Sequence, residues 1–217
     1  MARDTHPELT SFLHIFNYGE RHQQSLRAAE WSRWDSDGVG YLSLAKVDSA
    51  IMTHLVSKLG HYQGEKVWRR FRPSYIRAFT FAKDVAPVGH VAGPDGDSYI
   101  TKAEFRLLIS YLRHHATWFE VFALVDGNSD GTTEDDDRRI SREEWEANLG
   151  EVRHAGSTFA QYVAFRTCDE GSFDVMDADG KGMVLLSEFC TWVEKAEIAA
   201  GTPAGADLKI GDDADEK

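Results

Sequence analysis

The stretch Asp177-Ala-Asp-Gly-Lys-Gly-Met-Val-Leu-Leu-Ser-Glu188 constrains this chain more than any other; Phe173 precedes it, and Phe189 and Trp192 follow. It has the form of a turn between two helices that gathers oxygens. A hard divalent cation such as Ca²⁺ takes about six to eight oxygens. A twelve-residue loop supplies them from positions 1, 3, 5, 7 (a backbone carbonyl), 9 and 12 (a bidentate acid). Asp177, Asp179, the Met183 carbonyl and Glu188 fall on positions 1, 3, 7 and 12. Gly182 falls on position 6, where the chain must turn with positive φ, and Val184 on position 8, where two such loops pair as a short β-ribbon. Lys181 at position 5 brings a positive charge and no oxygen, and Leu185 at position 9 cannot hold a bridging water by its side chain. This ligand set predicts a Ca²⁺ site of low affinity, with Kd roughly 10⁻⁵ M or weaker.

Three further stretches repeat the pattern with defects. In Asp35 to Lys46 the positions 1, 3, 6 and 8 are Asp35, Asp37, Gly40 and Leu42, but Lys46 stands where the bidentate acid belongs. Losing two oxygens and one charge removes tight Ca²⁺ binding, so this loop reads as structural. Counting back from Glu104 as position 12 puts Ile100 at 8, Asp97 at 5 and Asp95 at 3, while position 1 is Gly93. The third stretch opens well, with Asp126, Asn128 and Asp130 at positions 1, 3 and 5, yet its closing Glu144 lies 19 residues from Asp126, counted inclusively. Either seven residues such as Thr132 to Arg138 are inserted, or the loop runs from Thr133 to Glu144 with Asp135 and Asp137 at positions 3 and 5.

The segments between these loops carry helical periodicity. A short helix is expected around Phe12, Leu13, Ile15 and Phe16, followed by amphipathic helices over residues 21–34 and 44–59, the latter with Val47, Ile51, Leu55 and Leu59 at spacings of four. Gly60 and Gly64 suggest a polar connector, and Arg72-Pro73-Ser74 a helix start. Residues 102–125 contain neither Pro nor Gly and read as one long helix or two joined near His114-His115. Adjacent histidines on a helix diverge by about 100°, so they cannot share a metal and are expected to be solvated or interfacial. Helices are also expected from Glu143 to about Gly150, from Asp169 to Met176 and from Ser187 to Ala199. A connector through Phe159, Tyr162, Val163 and Phe165 has no clear period.

The resulting fold class is all-α. Four helix-loop-helix units pair into two lobes, with two-stranded β-ribbons at Leu42/Ile100 and Ile140/Val184. Residues 1–20 form an N-terminal segment, 21–115 the first pair with loops 35–46 and 93–104, and 116–199 the second pair with loops 126–144 and 177–188. An acidic tail, expected to be disordered, covers 200–217. The formal net charge of −12 argues against nucleic-acid binding and favours cations or basic partner segments. No run approaches the roughly 18 apolar residues of a membrane span. The start Met-Ala-Arg lacks the Gly of N-myristoylation, so no direct lipid anchor is expected. Cys168 and Cys190 lack metal-binding spacing and suit buried reduced thiols in a cytoplasmic protein. No nucleophile-elbow, phosphate-loop or zinc-protease motif is present, and a non-enzyme is expected.

The chain resembles the flagellar calcium-binding proteins, the calflagin-like family of four-EF-hand proteins. The resemblance rests on Ile76-Arg-Ala-Phe-Thr-Phe-Ala-Lys-Asp84, Glu104-Phe-Arg-Leu-Leu-Ile-Ser-Tyr-Leu-Arg113, Asp136-Asp-Arg-Arg-Ile-Ser-Arg-Glu-Glu144 and Val184-Leu-Leu-Ser-Glu-Phe-Cys-Thr-Trp192. It implies a non-enzymatic Ca²⁺-binding protein of flagellum or cilium whose later two loops hold the metal and whose earlier two are degenerate. The candidate ligands are then Asp177, Asp179, Met183 and Glu188 in the fourth loop, and Asp126, Asn128, Asp130 and Glu144 in the third. Calcium at these loops is expected to open a groove lined by Phe122, Trp145, Phe173, Phe189 and Trp192 that takes a partner's amphipathic helix. The alternative is a calcium-independent subunit of a larger assembly, in keeping with the degraded early loops and only four methionines.

Overall fold

The computed structural model describes residues 7–19, 21–84, 99–127, 139–154 and 158–208. Among them the protein is mostly helical, with small antiparallel two-stranded sheets, in keeping with the expected all-α class. It divides into two compact units, one holding Glu8–Ala116 with Asp207 and Leu208, the other Thr117–Ala206 with Pro7. Among the described residues no helix is long and apolar enough to cross a membrane.

In the first unit α1 (Pro7–Ile15) and a 3₁₀ turn precede α2 (Gln24–Trp34), β1 (Tyr41–Ser43), α3 (Leu44–Leu59), α4 (His61–Asp84), β2 (Tyr99–Thr101) and the first part of α5 (Phe105–Val125). β1 pairs antiparallel with β2, and Leu42 faces Ile100 as the loop positions require. Val47, Ile51 and Leu55 line the buried stripe of α3. Leu9 and Phe12 of α1, with Phe16 just beyond it, are fully buried: Phe12 lies 4.9 Å from the Phe71 ring and Phe16 meets Trp34 edge-on at 6.4 Å. The N-terminal helix thus fills an apolar groove of its own unit.

Three local expectations are corrected here. Arg72-Pro73-Ser74 does not begin a helix, because α4 runs through it. Proline removes one backbone donor, but the stripe Val67, Phe71, Tyr75, Ala78 and Ala82 is buried on either side of it and outweighs that loss. The expected polar connector shrinks to Gly60, which closes α3 at φ 81°. Gly64 already lies in α4, where a Cβ would stand 2.5 Å from the Val56 Cα, so only glycine permits this approach of α4 to α3. His115 is not solvated but fully buried, between the rings of Phe81 (5.0 Å) and Tyr111 (5.5 Å). Burial, with His114 and Arg77 adding to it, pushes its pKa down to about 3.

The second unit holds the remainder of α5, then β3 (Arg139–Ser141), α6 (Arg142–Val152), a 3₁₀ turn (Thr158–Gln161), α7 (Val163–Thr167), α8 (Ser172–Met176), β4 (Met183–Leu185) and α9 (Leu186–Ala200). β3 and β4 are antiparallel with Ile140 opposite Val184. Cys168 and Cys190 are buried and are not joined in a disulfide. The chain does not become an acidic tail at residue 200. Gly201 turns it at φ 63°, and α10 (Pro203–Asp207) follows, with Ala204 buried. Small residues explain the turn back, since a Cβ on Gly205 would stand 2.2 Å from the Glu197 carbonyl oxygen. Residues 209–217 of the expected tail lie outside the described residues.

Candidate metal centre

Asp177 follows the last residue of α8, and its own amide donates to the Phe173 carbonyl (2.9 Å). Glycines with positive φ at Gly180 (67°) and Gly182 (79°) then curl the loop back over its first carboxylate. In consequence the Lys181 amide donates to Asp177 Oδ1 (3.0 Å) and the Gly182 amide to Oδ2 (2.8 Å). Glu188, in the first turn of α9, is fixed from the other side by the Leu185 amide, which donates to its Oε2 (2.9 Å). The outcome is that one ligand oxygen each from Asp177, Asp179 and Glu188 lie within 4.8 Å of one another. Two oxygens bound at about 2.4 Å on opposite sides of one Ca²⁺ would be about 4.8 Å apart, so a single ion can reach all three. Met183 stands opposite Ser141 in the ribbon, at the place in the loop where a carbonyl would join them.

Lys181 interferes with this arrangement as its position in the sequence suggests. Its ammonium donates to Asp179 Oδ2 at 2.5 Å, and its amide to Asp179 Oδ1 at 3.1 Å. The ammonium holds the Asp179 carboxyl below the usual carboxylate range, and Asp179 raises Lys181 in return. An arriving cation must therefore displace the ammonium to use both oxygens of Asp179.

The first loop repeats this bonding residue for residue. Asp35 follows α2, donates its amide to the Trp31 carbonyl (2.8 Å), and accepts the amides of Val39 on Oδ1 (3.1 Å) and Gly40 on Oδ2 (2.9 Å). Gly38 and Gly40 have φ of 67° and 86°. The difference is Lys46, whose ammonium reaches Asp37 Oδ1 at 2.6 Å, Asp35 Oδ1 at 3.5 Å and the Tyr41 carbonyl at 3.4 Å.

Loops two and three are described only at their ends. At the close of loop two, Glu104 Oε2 accepts the amide (2.7 Å) and hydroxyl (2.9 Å) of Thr101. At the close of loop three, Glu144 Oε2 accepts the amide (2.7 Å) and hydroxyl (2.8 Å) of Ser141. The opening of loop three also matches: Asp126 follows α5 and donates its amide to the Phe122 carbonyl (2.9 Å), as Asp35 and Asp177 do. It departs at the next residue, where Gly127 has φ 74°. Asn148 Nδ2 ties the two ends together through the Val125 carbonyl (3.2 Å). Asn128 and Asp130, and with them Asp135 and Asp137, lie outside the described residues, as do Asp95 and Asp97 of loop two.

The aromatic residues expected to line a groove opened by calcium are packed together here. Phe122, Trp145, Phe173 and Phe189 are buried, with Phe122 edge-on to Phe189 at 5.6 Å and Trp145 edge-on to Trp192 at 5.9 Å. The connector of unclear period supplies the cover. Phe165 of α7 stacks on Phe189 at 5.9 Å and tilts against Trp192 at 6.3 Å. Buried Glu197 of α9 holds α7 in place, its Oε1 accepting the Ala164 amide (3.0 Å) and its Oε2 the Thr202 hydroxyl (2.7 Å). The sequence offered no periodic signal for this, since α7 is too short to show one.

No match to a curated protein was found. Residues 15–112 match the model of the FCaBP EF-hand domain, a stretch that contains the loops beginning at 35 and 93 and ends before those at 126 and 177. Over residues 15–112 the chain therefore carries an EF-hand domain of the flagellar calcium-binding protein family.

Proposed function

We propose that the protein is a calcium-responsive EF-hand adaptor, built of four EF-hand units in two pairs and associated with a flagellum or cilium. The observation that carries its metal chemistry is the convergence of Asp177, Asp179 and Glu188 at a spacing that suits one Ca²⁺. The third loop is the second candidate centre, through Asp126, Asn128, Asp130 and Glu144; the helix-end bonding shared by Asp126, Asp35 and Asp177 favours the register with an insert. Calcium at these loops pulls on the first turns of α6 and α9. The response is release of α7 from Phe189 and Trp192, which frees an apolar surface for an amphipathic helix of a partner.

The second reading, a calcium-independent subunit of a larger assembly, is favoured by the closure of both units by their own chain, through Phe12 and Phe16 in one and Phe165 in the other. A dye that fluoresces on exposed apolar surface separates the two readings. The adaptor requires calcium to raise dye fluorescence in the intact protein and not in Glu188→Gln. No calcium-induced change in either protein would leave the assembly subunit.

A further inference from the structure

The first loop shares the backbone bonding of the fourth and has no acid at its closing position. Asp35 and Asp37 converge there, and two carboxylates facing one another repel unless a positive charge lies between them. That charge comes from the exiting helix, as the missing acid would have done. The ammonium of Lys46 is a compact charge with three donors, and it reaches Asp37 Oδ1 (2.6 Å), Asp35 Oδ1 (3.5 Å) and the Tyr41 carbonyl (3.4 Å). These are the side chains of positions 1 and 3 and the carbonyl of position 7, three of the ligands that a calcium loop gives its ion. The Tyr41 ring lies beneath the same ammonium, 5.6 Å from centroid to Nζ.

We propose that the Lys46 ammonium is the resident cation of the first loop, holding Asp35, Asp37 and the Tyr41 carbonyl in the arrangement that a metal would otherwise impose and closing this loop to divalent ions. The contrast with the fourth loop marks the role. Lys181 bonds Asp179 from within the loop and leaves Asp177 and Glu188 converged beside it, whereas Lys46 replaces the closing ligand and engages both aspartates. A lysine at position 12 thus makes one loop independent of calcium while keeping its shape, and the ribbon through Leu42 and Ile100 pairs it with β2. The inference does not depend on calcium binding at residues 177–188, because it is read in the metal-free protein at a different loop.

The test is amide hydrogen exchange of Val39 and Gly40, whose amides donate to the Asp35 carboxylate, in the intact chain with chelator present. Lys46→Met keeps the aliphatic stem and removes the charge, and it should lower protection of these two amides about tenfold, the loss of one charge-assisted bond, with the amides of Ile51 and Leu55 in α3 unchanged. Lys46→Glu should lose the same protection in chelator, regain it with Ca²⁺, and bind one more calcium ion than the parent by calorimetry. If Lys46→Met fails to fold, the calcium-loaded Lys46→Glu protein must still fold and gain that site. Unchanged protection in Lys46→Met, or no gained site in Lys46→Glu, overturns the proposal.

Discussion

On the proposed reading Lys181 competes with calcium for Asp179, to which its ammonium is bonded, and the competition is removable. Lys181→Asp takes away the ammonium and puts an oxygen at position 5, so it should tighten Ca²⁺ binding about tenfold or more; equal calorimetric affinities would show that the ammonium moves aside at no cost. His115 makes the opposite kind of prediction, about protons. Its pKa in the folded state is about 3 against an ordinary 6.5, so the unfolded chain takes up a proton that the folded chain refuses. Stability from this site is complete above pH 6.5 and is lost as pH falls from there toward 3, by about 2 kcal/mol between pH 7 and 5. In urea titrations His115→Phe should therefore lose less stability than the parent over that interval, and parallel losses would contradict it. Spacing alone could say that the two histidines diverge, but not that one of them points into a ring cluster formed with Phe81 of a distant helix.

At the scale of elements, the loops were the legible part and the covers were not. Position-8 pairing was readable because the loop's turn geometry fixes which residue enters the ribbon, and Leu42 and Val184 meet Ile100 and Ile140 accordingly. The passage of α4 through Pro73 was hidden because a proline is a local signal, whereas the stripe that overrides it is decided by packing against α1 and α3. The five-residue α7 is likewise set by what it covers. Phe165 is its anchor on Phe189, and Phe165→Ala should cost about 3–5 kcal/mol of stability, read from the urea midpoint at constant m. A cost below about 1 kcal/mol would mean that α7 rests on the α9 surface without closing it.

For the whole molecule, a formal charge of −12 is held in a mostly helical chain, and the division into two units falls within α5, between the first loop pair and the second. The two units differ in how they meet that charge. In the first, Lys46 engages both aspartates of its loop; in the second, Lys181 bonds Asp179 and leaves Asp177 and Glu188 converged beside it. Calcium sensitivity should accordingly reside in Thr117–Ala206. The most direct measurement is a calorimetric calcium titration of the intact chain and of Glu188→Gln at physiological Mg²⁺. The account predicts saturable binding by the parent, lost at the fourth loop in Glu188→Gln. The same isotherm from both proteins, or no binding by the parent up to about millimolar Ca²⁺, would contradict it.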